Sequence, residues 1–258
     1  MRFASLGSGS RGNALVVESG STCVLLDCGF SMRETERRLA RLSVVPGALA
    51  AIVITHEHSD HIGGAFKFAD RHGIPVWLTH GTLASLSDGR ASAVDSQKLK
   101  IIDSHTRYQL GDLEIQPYPV PHDAREPVQY VFSNGSQRLG VLTDAGSLTE
   151  HVIGMLDACD ALVLECNHDL EMLARSTYPL SVQQRISGRL GHLDNAMAAS
   201  LLSRIDVSRL QHIVAAHLSE QNNQPQLATS ALAEALGCSA SWVGVAEQAT
   251  GFDWRTIV

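Results

Sequence analysis

Four side chains able to bind a divalent cation, His56, His58, Asp60 and His61, fall within six consecutive positions of the segment Ile52-Val53-Ile54-Thr55-His56-Glu57-His58-Ser59-Asp60-His61-Ile62-Gly63-Gly64. Imidazole nitrogen and carboxylate oxygen, with no thiolate among them, suit Zn²⁺ or Mn²⁺ and disfavour soft metals. His56 and His58 are two residues apart, so in an extended loop they project to one side and can share an ion. Asp60 and His61 follow the turn toward a helix, point elsewhere and suit a second ion nearby. Such a loop needs a rigid element at each end. Before it, the β-branched apolar run Ala50–Ile54 is a buried strand. After it, Ile62, Ala65, Phe66 and Ala69 recur at helical spacing, which predicts a helix over His61–Arg71.

Further candidate ligands lie at the ends of later strands. Strands are expected at Leu113–Tyr118, Gln129–Phe132, Leu139–Thr143, Ala161–Leu164 and Gln211–Ala215. His122 lies in a loop fixed by Pro119 and Pro121. Asp144 closes Leu139–Thr143, and His217 lies just beyond Gln211–Ala215. Glu165-Cys166-Asn167-His168-Asp169 follows the fourth of these strands. Between helices expected at Pro179–Gly188 and Asp194–Ser203, the second capped by Asp194, Leu190-Gly191-His192-Leu193 is a tight loop.

The first third supplies scaffold. Strands at Asn13–Glu18 and Thr22–Asp27 follow Met1–Leu6, and Ser31-Met32-Arg33-Glu34 is a capping box opening a helix whose buried side is Met32, Leu39 and Leu42. Its Arg33, Arg37, Arg38 and Arg41, interleaved with Glu34 and Glu36, read as a solvated face. Pro75–Leu78 is a short strand, and Thr79–Ser104 is mixed helix and loop. Ser147-Leu148-Thr149-Glu150 is a second capping box opening a helix to about Leu156. Pro225 starts a final helix ending near Gly237, and Ser241–Ala246 is a closing strand. The order Asp27-Cys28-Gly29, capped helix, strand, His56 loop is echoed by Asp144-Ala145-Gly146, capped helix, strand, His168. The echo implies two similar halves whose polar loops meet at one edge.

Gly7-Ser8-Gly9-Ser10-Arg11-Gly12 satisfies the glycine pattern of a dinucleotide site, but strand residues follow where that site needs a helix. The loop is either a turn or a cradle of backbone amides for an anion. With 258 residues, no linker composition and no apolar stretch of membrane-spanning length, one domain at 1–258 without a membrane partner is expected. The five cysteines lack a C-x-x-C pair and indicate reduced thiols in the cytoplasm. A net charge of −7 argues against coating nucleic acid through bulk charge.

His56-x-His58-x-Asp60-His61, then His122, Asp144 and His217 at strand ends, resembles the metallo-β-lactamase superfamily. The resemblance implies an α/β fold, the four-layer αββα sandwich, with a dinuclear centre along one edge. Leu6-Gly7-Ser8-Gly9-Ser10-Arg11-Gly12-Asn13, Asn167-His168-Asp169, Gly191-His192-Leu193 and His217-Leu218-Ser219-Glu220-Gln221-Asn222-Asn223 resemble the YycJ/WalJ-like branch, single-strand-directed 5′–3′ exodeoxyribonucleases. Carried over, His56, His58 and His122 hold one ion, Asp60, His61 and His217 the other, and Asp144 bridges them. The bridging aspartate is typical of phosphodiesterase and glyoxalase-like branches rather than lactam-cleaving ones. A pair of such ions makes hydroxide available at neutral pH and stabilises charge on both oxygens of an in-line displacement at phosphorus.

In this scheme Asp60 orients the nucleophile, and His192 contacts a phosphate oxygen or protonates the leaving group. His168 is placed at the substrate or in a loop-stabilising hydrogen bond. Asp27 orients a ligand histidine from behind. Glu165 is a supporting carboxylate, and Arg175, Arg185 and Arg189 are candidates for phosphate contacts. The expected substrate is single-stranded DNA or another phosphodiester. A small-molecule phosphodiesterase or a glyoxalase-II-like thioester hydrolase shares the ligand set.

Overall fold

The structure, a computed structural model, describes residues 1–86 and 96–258. Two mixed seven-stranded sheets lie face to face between outer helices. The first has strand order β14-β1-β2-β3-β4-β5-β6, from β1 (Arg2–Gly7), β2 (Ala14–Ser19), β3 (Thr22–Leu26), β4 (Leu49–Val53), β5 (Val76–Thr79), β6 (Leu99–Ile102) and β14 (Phe252–Thr256). The second runs β13-β12-β11-β10-β9-β8-β7, from β7 (Tyr108–Leu110), β8 (Leu113–Pro119), β9 (Val128–Ser133), β10 (Arg138–Leu142), β11 (Ala161–Glu165), β12 (His212–Ala216) and β13 (Gly244–Val245).

Alternation within each strand sorts the core into three layers. In β3, Cys23 and Leu25 face α1 (Met32–Arg41) and α3 (Ala65–His72), while Val24 and Leu26 face the other sheet. In β12, Ile213 and Ala215 meet α8 (Asn195–Leu202) and α9 (Pro225–Leu236), and Val214 and Ala216 enter the layer between the sheets. Cover on both faces explains why these strands are continuous apolar runs.

The internal echo is realised in the topology. β1-β2-β3 and β8-β9-β10 are antiparallel meanders. β3-α1-β4 and β10-α5-β11, with α5 at Glu150–Leu156, are parallel crossovers. Tyr130 Oη donates to Ile54 O at 2.7 Å and Val128 N to Thr55 O at 3.0 Å, tying the second sheet to the strand that carries the histidine loop.

Several expectations need correction. The helix foreseen over His61–Arg71 is divided into the single turn α2 (Ser59–Ile62) and α3, because Gly64 packs on another backbone: a Cβ there would lie 1.8 Å from Phe30 O. Ser31 caps α1 as expected, but α5 is capped by Thr149, not Ser147. On α1 the buried side is Thr35, Arg38 and Leu39, with Met32 exposed. Arg38 is buried because its Nη1 donates to Leu6 O at 2.6 Å and its guanidinium stacks on Phe30. Thr79–Ser104 holds α4 (His80–Ala84) and the strand β6, and its residues 87–95 lie outside the described ones. The strand expected at Ser241–Ala246 shrinks to β13, and the first sheet is closed by β14, an edge strand too polar to show an apolar pattern.

Candidate metal centre

The seven predicted ligands converge from both sheets onto one edge. Ligand atoms of His56, His58 and His122 lie within 4.8 Å of one another, as do those of Asp60, His61 and His217. Asp144 groups with His56 and His61 on one side and with Glu165, His192 and His217 on the other, a position between the two triads. All but His58 and Asp60 are buried.

Backbone geometry aims several of these side chains. Asp27, Asp144 and His217 each follow a strand with positive φ, at 59°, 50° and 54°. A non-glycine residue there costs on the order of 1 kcal/mol or more, and such strain concentrates at functional sites. The histidine loop is docked on the loops after β1 and β3: Asn13 N donates to Asp60 O at 2.7 Å, Cys28 N to His61 O at 2.7 Å and Gly64 N to Cys28 O at 2.8 Å. Gly29 is required by that contact, since a Cβ would stand 1.8 Å from Asp60 O.

Several ring orientations are fixed from behind. Asp27, buried, accepts from His61 Nδ1 at 2.8 Å and, through its other oxygen, from Thr55 N at 2.9 Å. His122 Nδ1 donates to Gly191 O at 3.1 Å. His192 Nδ1 donates to Glu165 at 2.7 Å, and Glu165 also accepts from Ala145 N at 2.9 Å. With His61 Nδ1 committed to Asp27, its Nε2 lone pair stands 2.9 Å from Asp144 Oδ2, two electron-rich atoms that need a proton or a cation between them. His56 Nε2 and Asp144 Oδ2 are buried with no hydrogen-bond partner. Such orphans are what metal ligands look like without their ion, so this donor set fits divalent cations.

The electrostatics agree. Burial opposes charge on His61, but Asp144, Asp27 and Asp60 outweigh it and hold its pKa well above the ordinary value. Burial likewise opposes charge on His217, yet Asp144 with hydrogen bonds to Asp60 and Glu165 lifts it to about 10. Burial disfavours the Glu165 anion, but His192 keeps it at about 2. His56, buried among other histidines, is driven well below its usual pKa and stays neutral, the form that binds metal.

His168 stands outside all four ligand groups and is fully buried. Its backbone accepts from Asn195 N at 3.0 Å and its Nδ1 meets Asn167 Oδ1 at 3.4 Å, while its Nε2 is buried without a hydrogen-bond partner among the described residues. Arg185 is placed at the mouth of the centre, 3.3 Å from Asp123, whose other oxygen is 3.4 Å from His122 Nε2. Arg175 instead pairs with Glu171 on its own helix.

Sequence reasoning missed Asn13 and Ser8. Asn13 Nδ2 lies 3.2 Å from Asp60 Oδ2 and 3.1 Å from His61 Nε2, and Ser8 Oγ accepts from His217 N at 2.9 Å. The glycine-rich loop is a brace for the centre. Its Ser8, Gly9, Arg11 and Gly12 amides are bonded within the protein, which removes the anion cradle. The signal was a glycine loop with an Asn at its end, beside the strand that feeds the first crossover.

A two-sheet sandwich with this edge centre defines a metallo-hydrolase, and residues 22–213 match the β-lactamase superfamily domain. The chain belongs to that family. It is 34% identical over 236 residues to exodeoxyribonuclease YycJ of Bacillus anthracis, covering 92% of this chain and 89% of the relative. It is 33% identical over 245 residues to exodeoxyribonuclease WalJ of Streptococcus pneumoniae serotype 2, covering 95% and 91%. The fold is shared with the metallo-beta-lactamase fold protein YhfI of Bacillus subtilis, at TM-score 0.74, 15% identity and 99% coverage of each chain. Divalent metal ions are implied by this fold. Among the described residues no helix is long and apolar enough to cross a membrane.

Proposed function

We propose that this protein is a dinuclear metal-dependent exonuclease that degrades single-stranded DNA from the 5′ end, with Zn²⁺ or Mn²⁺ in the two triads and Asp144 between them. The observation that carries the reading is the convergence of seven nitrogen and oxygen ligands, without thiolate, on two adjacent groups. The names of the two relatives favour a phosphodiester over the thioester of glyoxalase-like hydrolases. The five cysteines are all free thiols, which favours a reducing, cytoplasmic setting.

The ions, when bound, supply an activated water and neutralise charge developing on the phosphoryl oxygens. The protein's own groups do the rest. Asp60, beside His61 and His217, orients the attacking water. His192 is the proton donor: burial opposes its charge, but Glu165 raises its pKa, so Nε2 can carry a proton to the leaving oxygen while Nδ1 stays bonded to Glu165. Arg185 exchanges Asp123 for a substrate phosphate at the mouth. His168 is a positioning residue for the loop that carries Asp194 and Asn195.

End-labelled single- and double-stranded DNA and RNA oligonucleotides, digested with Zn²⁺ or Mn²⁺, test the reading. Stepwise release of mononucleotides from the 5′ end of single-stranded DNA, abolished in Asp60→Ala and Asp144→Ala, is expected. Undiminished turnover in those variants, or faster cleavage of an S-acyl glutathione than of bis(p-nitrophenyl) phosphate, rules it out.

A further inference from the structure

A cavity of about 350 Å³ shares a wall with the metal centre. Leu218, which directly follows the ligand His217, lines it, as does Ser8, whose Oγ accepts from His217 N at 2.9 Å. Pro225, Val245, Ala246 and Ala249 add apolar wall, and Ser219, Asn223 and Gln248 add uncharged polar groups. Two carboxylates, Glu220 and Glu247, face the same space. Arg11 is tied to lining residues: its guanidinium pairs with Glu220 and its backbone N–H donates to Gln248 Oε1 at 2.8 Å. Arg38 Nη1 donates to Gln248 O at 3.1 Å, and its charge is met by Glu34 at 2.6 Å.

The chemistry of the lining selects the occupant. Two carboxylates and no lysine or arginine among the lining residues disfavour a phosphate, so the backbone of a nucleic acid is a poor occupant. A flat apolar ring with N–H groups at its edge is suited instead: its faces meet Leu218, Val245 and Ala249, and its edge donates to carboxylate oxygens. The volume lies at the lower end of the range for small-molecule sites. Arg11 and Glu220 are both exposed, and an exposed ion pair of this kind opens at little cost, freeing the guanidinium to stack on a ring.

Resting on the nuclease reading above, we infer that this cavity receives one unpaired nucleobase of the substrate strand while its phosphate lies at the metal centre. A base held in a duplex cannot enter, so the pocket supplies a structural reason for acting on single strands, independent of the ions.

The test is a set of single-stranded oligonucleotides carrying one abasic residue at successive positions from the 5′ end, digested by the metal-loaded full-length protein and by Ala249→Trp and Arg11→Ala. Ala249 is exposed, so the indole fills the cavity without entering the core. For the wild type, kcat/KM falls about tenfold or more at one abasic position, the scale of one lost base contact. Ala249→Trp, with the cavity filled, cleaves normal and abasic strands at equal rates, and Arg11→Ala shows a reduced difference. Equal wild-type cleavage of both strands, or discrimination retained in Ala249→Trp, overturns the inference while leaving the nuclease reading intact. A wild type that cleaves no oligonucleotide overturns both.

Discussion

Replacing Asp27 by asparagine changes one atom yet should disable the candidate metal ligand His61, which Asp27 holds from behind. Asp27 Oδ1 accepts from Thr55 N at 2.9 Å, so the carboxamide oxygen takes that place and the NH₂ group falls where Oδ2 now meets His61 Nδ1 at 2.8 Å. The amide donates to Nδ1, which drives the ring proton to Nε2, the nitrogen that faces Asp144. A protonated Nε2 has no lone pair for a cation, and the wrong tautomer is a severe defect where a buried carboxylate has fixed the right one. Loss of such a supporting group costs about 10- to 100-fold in metal affinity, and the tautomer switch puts the expectation at the upper end, about 2.7 kcal/mol. Stability without metal should move little. Burial raises the Asp27 pKa against the pull of His61, so a neutral amide relieves a desolvation penalty as it gives up an ion pair. Competition with a chromophoric chelator measures the affinities, and urea titrations with and without metal separate the two effects. An Asp27→Asn variant that binds metal as tightly as wild type, with its metal-free stability preserved, would refute the reasoning.

Gly64→Ala should cost about 2 kcal/mol or more by urea denaturation, because its Cβ would lie 1.8 Å from Phe30 O and 3.1 Å from Cys28 O, both backbone; a loss under about 0.5 kcal/mol would contradict the packing. Glu34 is held at about 2 by hydrogen bonds from Arg37 and Arg38, below its ordinary 4.5, so its contribution is present above pH 4.5 and is lost as pH falls toward 2. Glu34→Gln should therefore lower stability by about 0.5–1 kcal/mol near neutrality, a screened surface effect, and by nothing at pH 2. Burial pushes the Cys23 and Cys28 thiols up to about 12, Cys159 to about 11 and fully buried Cys166 well above its ordinary value, leaving half-buried Cys238 as the thiol open to modification. Mass spectrometry after brief iodoacetamide treatment should find one adduct on the native protein and five after denaturation.

The convergence of the candidate ligands was legible in the sequence because each lies just beyond a strand whose apolar run is itself legible, and because strand ends on one edge of a sandwich face each other. What supports the ligands was harder to see. Asn13 and Ser8 act through contacts with Asp60 and His217, 47 and 209 residues away, and no local pattern encodes such a partner. Arg38 sits in an alternation of charges that suits a solvated face, yet its guanidinium serves carbonyls of Leu6 and Gln248 in the interior. β6, β7 and β14 flank or form sheet edges, where half-exposed, charged residues erase the two-residue period. The division of α2 from α3 turned on how closely two backbones approach, which glycine permits but composition does not announce.

Each triad draws on both sheets: His56 and His58 come from the loop after β4 and His122 from the loop after β8, while Asp60 and His61 meet His217 from beyond β12. Neither half of the molecule owns a complete site. Cations seated there would rivet the two sheets along their shared seam, so the inventory of metal in the cell would set how firmly the sandwich stays shut, as well as how fast it works.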